Sequence, residues 1–214
     1  MSGILDLLNS PMGKMLVDGA GKQLGMGEAK AGSAIQSAIP LILGAMKNNA
    51  STPDGAAGLL KALGNERHSG GILDNLGSIL GGGAIDTDVM QDGAGILGHV
   101  FGGKEENVAN AVSKSSGIDL GQAMSILKVA APFIMGYLGK KKQAEGISDQ
   151  NGIGDLLGGL LGGESKQSQG LVNQLLDADG DGSIIDDVAG MLLSGGSKKK
   201  SGLGSLLGGL FGGK

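Results

Sequence analysis

An internal repeat constrains this chain more than any other feature of its sequence. When the sequence is shifted by 92 residues, residues 3–46 align with residues 95–138 without a gap, and eleven of the 44 paired positions are identical. Chance gives roughly four or five identities in a chain of this composition, so the excess favours a duplication. We therefore expect two tandem copies of one small helical unit.

The second half of each copy carries the pattern of an amphipathic helix. Apolar residues recur three and four positions apart, which places them on one helix face. Pro40 and Pro132 lie at the same position of the two helices, where the missing backbone donor predicts a kink. The two apolar stripes are Ala31, Ala34, Ile35, Ala38, Ile39, Ile42, Leu43 and Met46, and Ala123, Ile126, Leu127, Ala130, Ala131, Ile134, Met135 and Leu138.

The boundaries of the predicted helices carry residues that are typical of helix caps. Ser10-Pro11 and Thr52-Pro53 place a capping hydroxyl before a proline at the first helical position. No alternating run of β-branched or aromatic residues is long enough to predict a strand. The sequence therefore predicts an all-α fold, with C-terminal helix caps at Gly25, Gly64 and Gly117.

A shorter pattern rich in Gly and Leu occurs three times, in the Gly-Leu segments 71–83, 152–164 and 202–214. Their apolar residues fall at helical spacing and predict short amphipathic helices. Because each interior Gly costs about 1 kcal/mol of helix propensity, we expect order only when the segment docks on its own chain, a second copy or a lipid surface. Two explanations of the 45 glycines stay open: close helix packing, and flexible connectors.

These patterns divide the chain into six stretches. The predicted order is helical repeat 1 over 1–64, a Gly-rich linker with a short amphipathic helix over 65–85, helical repeat 2 over 86–142, a Gly/Leu-rich linker over 143–167, a helix–acidic loop–helix segment over 168–195, and a basic Gly-Leu tail over 196–214.

The acidic loop is the one segment with a specific chemical pattern. Asp177, Asp179 and Asp181 occupy positions 1, 3 and 5, a glycine occupies position 6, and Ser183 offers a backbone carbonyl at position 7. This spacing matches the front half of a calcium loop of the EF-hand type, in which hard oxygen ligands surround the cation.

The back half of the loop departs from that pattern. Val188 stands at position 12, where the full motif has a bidentate Glu, so the closing carboxylate would be Asp186 or Asp187. The loss of the bidentate ligand predicts an affinity of about 10⁻⁴ to 10⁻³ M. The alternative is an acidic turn that caps the following helix, since carboxylates also favour a helix N-terminus.

Composition and motifs argue against several other functions. The formal charge of −4 disfavours a nucleic-acid binder, and the absence of Cys excludes thiolate chemistry. The GxGxxG string at 93–98 follows polar residues and no strand, so we do not interpret it as a nucleotide loop.

We expect His68 to be exposed in a polar loop and His99, which aligns with Leu7, to be partly buried. The sequence therefore predicts no enzyme, no catalytic residue and no small-molecule substrate.

The sequence also predicts a soluble, cytoplasmic protein without a transmembrane segment. Asp6 interrupts the first apolar run and no basic residues precede it, unlike in a secretory signal. The longest apolar stretches have about thirteen residues, whereas a span needs about twenty. Export by a non-standard route and contact with a membrane surface stay open.

Four stretches together resemble the YidB-like family of bacterial proteins of unknown function. They are residues 4–14, residues 40–46 with 49–53, residues 73–76, and residues 127–133. The resemblance covers roughly residues 1–140, and the DxDxDG tail resembles one found on some members. It implies a helical, mostly bacterial protein and assigns no activity or site residue.

We therefore expect a non-enzymatic structural or interaction protein that forms a homo-oligomer or binds a protein partner, and that binds calcium through its acidic loop. The alternative is a protein of the membrane surface. In that case the Gly-Leu tail, next to the lysines at 198–200, lies on an anionic leaflet.

Overall fold

The computed structural model describes residues 8–65, 68 and 86–162, and this part of the chain contains α-helices and no strand. The all-α prediction is therefore confirmed for these residues. The helices are α1 (Pro11–Gln23), α2 (Glu28–Asn49), α3 (Pro53–Leu63), α4 (Thr87–Phe101), α5 (Glu105–Ser116), α6 (Leu120–Ala144) and α7 (Gln150–Gly162).

The predicted helix caps are present. The backbone N–H of Gly13 donates to Ser10 Oγ at 3.1 Å, at the start of α1. The first turn of α3 is capped in the same way by the hydroxyl of Thr52, at 3.2 Å from the backbone nitrogen of Gly55. Both hydroxyls satisfy a backbone donor that the helix itself leaves without an acceptor. The glycines after α1 and α5, Gly25 and Gly117, both have a left-handed φ of 65°.

Helices α2 and α6 form the centre of the protein. All sixteen residues of the two predicted stripes are buried, with exposed fractions of 2% or less. Both helices continue through their prolines, Pro40 and Pro132. Leu, Ile, Val, Ala and Met supply most of this core, with Phe101 and Phe133 as its buried aromatic residues.

The remaining helices pack around this central pair. Helix α1 packs on α2, α5 packs on both central helices, and α4 packs on α6 and α2. Helix α3 contacts α6, and α7 contacts α2 and α3. Elements from the two halves of the chain therefore share one hydrophobic core.

Helices α4 and α6 approach each other closely at Gly93. A Cβ atom on Gly93 would stand 1.9 Å from the backbone oxygen of Lys128 and 2.7 Å from its carbonyl carbon. Lys128 is four residues before Pro132, which has no N–H to donate to that oxygen. Only a residue without a side chain fits against the backbone of α6 at this point.

Helix α7 lies within the stretch 143–167 that was predicted as a Gly/Leu-rich linker. Residues 150–162 form this helix, and its apolar residues are part of the common core. The amphipathic helix predicted for the second Gly-Leu segment is thus present, docked on the protein's own helices. Its burial follows from the spacing of its leucines, which line one face.

No single helix in the described part of the chain combines the length and the apolar character that a membrane span requires. Helices α5 and α6 meet those criteria only as a pair, and they are bent by 108° relative to each other.

Candidate functional site

The predicted calcium ligands Asp177, Asp179, Asp181, Ser183 and Asp186 lie outside the described residues, as does Asp187. Among residues 8–65, 68 and 86–162, no three His, Asp or Glu side chains come close enough together to hold a metal ion. The prediction of a calcium loop at 177–187 therefore stays a prediction.

His68 is buried between the end of α3 and the middle of α4, contrary to the expectation that it is exposed. Its residue exposure is 8%. Nδ1 lies 3.1 Å from the carbonyl oxygen of Ala62, and Nε2 lies 3.0 Å from Asp92 Oδ2. The carbonyl oxygen only accepts, so Nδ1 donates to it, while Nε2 contacts the Asp92 carboxylate. Both ring nitrogens of His68 are therefore used in contacts within the protein.

These two contacts link α3 to α4. Ala62 belongs to the last turn of α3, and Asp92 belongs to α4, with its side chain 22% exposed. His68 thus caps α3 and connects it to α4, across 24 residues of sequence.

His99 is exposed on α4, contrary to the expectation that it is partly buried. Its Nδ1 lies 2.9 Å from the carbonyl oxygen of Gly95 on the same helix. The carbonyl of His99 itself accepts a bond from Asn49 Nδ2 at 3.2 Å, as does that of Val100 at 3.0 Å. The alignment with Leu7 misled the prediction, since α4 turns this position away from α6 and α2.

The GxGxxG string lies inside α4, in agreement with our rejection of a nucleotide loop. Residues 93–98 are helical throughout, so their backbone N–H groups bond within the helix rather than pointing at a phosphate. Gly93 serves the contact with α6 described above.

The face that α7 buries is formed by four residues with exposures of 8% or less: Ile153, Leu156, Leu157 and Leu160. This face lies against α2 and α3, and we call the covered surface the α7 site. Asp149 caps the helix, with its Oδ1 2.9 Å from the backbone nitrogen of Gly152. Asp155 points to solvent from the opposite face.

The glycines on the outer side of α7 are not required by packing. A Cβ atom on Gly154, Gly158 or Gly159 would have no neighbour within 4 Å. Their effect is instead on the helix itself, because each raises the free energy of the helical state by about 1 kcal/mol relative to Ala. Helix α7 therefore depends on its docked face for its order.

An open groove runs beside this contact, between α3 and the start of α7. Ala57 and Leu60 line one side, and Ser148, Asp149, Gln150 and Asn151 line the other. Its volume is about 560 Å³. The groove contains one carboxylate, which already caps α7, and so offers no set of convergent catalytic groups.

Elsewhere on the described surface, Lys22 forms an ion pair with Asp18. The hydrogen bond that Lys22 Nζ donates to the Asp18 carboxylate, together with the negative charge of that carboxylate, raises the pKa of Lys22 above its ordinary value, at an exposed position. Met15 is the one large apolar residue in the described part of the chain with more than a third of its surface exposed. The described helices thus present no broad apolar patch of the kind that marks an interface.

The comparison with known families gives one match. A model of bacterial proteins of unknown function, DUF937, matches residues 6–141. The chain belongs to this family. The match spans α1 to α5 and most of α6, so the family unit contains both central helices and ends before α7. No curated protein and no solved structure is significantly similar to the chain.

Proposed function

We propose that this family member is a non-enzymatic interaction protein that associates with further copies of itself through its Gly-Leu segments and binds calcium through its acidic loop. The observation that carries the proposal is the docking of α7. It gives one example of what a Gly-Leu segment does, which is to bury an apolar face on helices of this protein.

The same physical reasoning extends to the other two segments. Residues 202–214 repeat the spacing of leucines and the interior glycines of α7, and residues 71–83 share its apolar positions except at Asn75. A segment of this kind gains little from helix formation alone, so it needs a docking surface. We propose that a second copy of the chain supplies one.

We further infer that residues 1–64 and 86–142 are tandem copies of one unit, related to the YidB-like proteins. Helix α2 begins at Glu28 and α6 begins at Leu120, which is the 92-residue offset of the sequence repeat. Gly25 and Gly117, three residues before these starts, share a φ of 65°. These correspondences support a duplication, and the two central helices would be its equivalent elements.

The proposal of a non-enzymatic role is supported by the use that the described histidines make of their ring nitrogens. His68 uses both nitrogens in internal hydrogen bonds, which leaves neither for proton transfer to a substrate. His99 lies apart on an exposed helix face, with Nδ1 held by a carbonyl of its own helix.

Sedimentation velocity of the full-length protein over a wide concentration range tests self-association. We expect a concentration-dependent species larger than the 21.1 kDa chain. A single monomeric species at every concentration, with and without calcium, would contradict the proposal.

Calorimetric titration of calcium tests the acidic loop. We propose Asp177, Asp179, Asp181, Ser183 and Asp186 as ligands, with a dissociation constant of about 10⁻⁴ to 10⁻³ M. Heat that disappears in Asp179→Ala/Asp181→Ala supports the site, whereas the absence of heat in the unaltered protein identifies the loop as a helix cap.

The second candidate function is attachment to a membrane surface by the third Gly-Leu segment. The observation in its favour is the lysine cluster at 198–200, which adjoins the apolar residues of 203–211 and suits an anionic leaflet. Flotation with vesicles of phosphatidylserine and phosphatidylcholine tests it. We expect full-length protein to float and a chain ending at Gly196 to stay behind; equal behaviour removes this role.

A further inference from the structure

The α7 site fits a second segment of the same chain. The third Gly-Leu segment, GLGSLLGGLFGGK at 202–214, matches the second, GIGDLLGGLLGGE at 152–164, at nine of thirteen positions. We propose that residues 202–214 of a second copy dock in the α7 site, and that α7 restrains this association by occupying the site in its own chain. The inference rests on the proposed self-association and names its surface.

The third Gly-Leu segment matches the buried face of α7 better than the first segment does. In the third segment the counterparts of the four buried residues of α7 are all leucine: Leu203, Leu206, Leu207 and Leu210. In the first segment the counterpart of Leu156 is Asn75, whose amide would lose its hydrogen bonds to water at a position where Leu156 is 8% exposed. Residues 202–214 therefore reproduce the apolar face, and residues 71–83 do not.

Two of the four differences between the two segments fall at exposed or half-buried positions of α7. Ser205 corresponds to Asp155, which is exposed, and Phe211 corresponds to the half-buried Leu161. Both changes preserve the fit, because a larger apolar residue at the edge of the contact adds buried area and a neutral residue on the outer face costs nothing.

Helix α7 and residues 202–214 of a second copy would compete for the α7 site, and they differ in how they are tethered to it. Helix α7 is joined to α6 by residues 145–149, so its effective concentration at the site is high, about millimolar. A segment from another molecule competes with it at the concentration of the protein. The glycines of α7 weaken its hold, since Gly154, Gly158 and Gly159 lower helix propensity without improving the contact.

Sedimentation velocity of four full-length variants tests the proposal. Leu157→Asp releases α7, and we expect it to raise the association constant about tenfold or more, because it removes the tethered competitor. Leu206→Asp/Leu207→Asp is expected to abolish association, alone and when combined with Leu157→Asp. Ser205→Asp is the control: it introduces a negative charge into the same segment, at the position where α7 itself carries Asp155, and association should be unchanged.

Each outcome has a separate meaning. If the unaltered protein and Leu157→Asp are both monomeric, the proposed self-association fails as well. If the unaltered protein associates and Leu206→Asp/Leu207→Asp does not change this, self-association stands and the α7 site is not its surface. If the combined variant still associates, the apolar surface exposed by the release of α7 is the cause of association, and the proposal is overturned. The proposal is also overturned if Ser205→Asp weakens association as much as Leu206→Asp/Leu207→Asp does.

A cross-link gives a second measurement that does not depend on the release of α7. Because the chain has no Cys, single cysteines can be placed in separate full-length molecules at Ala57, which lines the groove beside α7, and at Ser201, whose counterpart Asn151 lines the same groove. We expect oxidation of the mixture to form the mixed dimer in preference to either homodimer. A random mixture of the three dimers would contradict docking at this site.

Discussion

The contact between α4 and α6 and the contact that holds α7 both involve glycine-rich helices, yet they use glycine in opposite ways. At the first contact, Gly93 faces the backbone of Lys128, and even one added carbon would stand 1.9 Å from it. At the second, Gly154, Gly158 and Gly159 face open space. The high glycine content therefore has two separate physical effects within one fold.

The difference shows that the packing of α4 on α6 is fixed, whereas α7 can be replaced on its docking surface by another segment of similar sequence. A close backbone approach joins α4 to α6 and admits no alternative packing without a shift of one helix. Helix α7 is held by four apolar side chains, and its glycines lower its stability as an isolated helix. Of the two explanations left open by the sequence, close packing holds at Gly93, whereas on α7 glycine weakens the helix.

The largest effect is expected from Leu157→Ala, which removes a fully buried side chain of α7. We expect a loss of about 3 kcal/mol of docking free energy. In hydrogen exchange followed by mass spectrometry, peptides from α7 should lose protection while those from α4 and α6 keep theirs. Leu161→Ala, at a half-buried position of the same helix, is the control and should cost about 1 kcal/mol or less. Uniform loss of protection in all three helices would erase the distinction between the two contacts.

Gly93→Ala tests the fixed contact. The new methyl group collides with backbone, so α4 or α6 must move, and we expect a cost of about 2 kcal/mol in global unfolding by urea. Gly95→Ala on the same helix meets nothing within 4 Å and should instead stabilise the protein by up to about 1 kcal/mol. Equal effects of the two substitutions would show that the close approach is unimportant.

Asp92→Asn tests the hydrogen bonds through which His68 connects α4 to the end of α3. The substitution replaces the carboxylate beside His68 Nε2 with a neutral amide, and we expect a cost of about 1.5 kcal/mol in the free energy of unfolding.

The measurement is the difference in unfolding free energy between variant and unaltered protein. Asp155→Asn removes the same charge from an exposed position of α7 and is expected to cost about 0.5 kcal/mol or less. A cost of Asp92→Asn as small as that of Asp155→Asn would show that the contact with His68 does not stabilise the fold.

The smallest effect is expected from Gly159→Ala on the exposed side of α7. Added helix propensity should stabilise α7 by about 1 kcal/mol without changing its contacts. Slower hydrogen exchange confined to α7 is the expected observation. Faster exchange would mean that this glycine is needed for the packing of α7 after all.

The central helices were predictable because their signal is local and repeated. Sixteen apolar positions at helical spacing define the buried faces of α2 and α6, and the hydroxyls of Ser10 and Thr52 define two helix starts. In each case the residues that form the feature lie within a few turns of one another. The spacing of residues in the sequence is then enough to predict these helices and their starts.

The two histidines show where this reasoning ends. His68 stands in a polar stretch, but its partner Asp92 is 24 residues away, and no periodicity links the two. The position of His99 was inferred from its counterpart in the first repeat, although α4 packs on two helices and turns that position outward. Contacts between distant elements depend on how helices pack, and a local pattern does not contain that information.

The sharing of one core by both halves has a consequence during synthesis. Helix α2 is complete at Asn49, but its partners α5, α6 and α7 begin at Glu105, Leu120 and Gln150. At roughly 5 to 20 residues per second, the ribosome delivers them several seconds later. During that interval most of the helices that pack on the apolar stripe of α2 have not yet been synthesised. We therefore expect the nascent first half to bind a chaperone that recognises exposed hydrophobic helices.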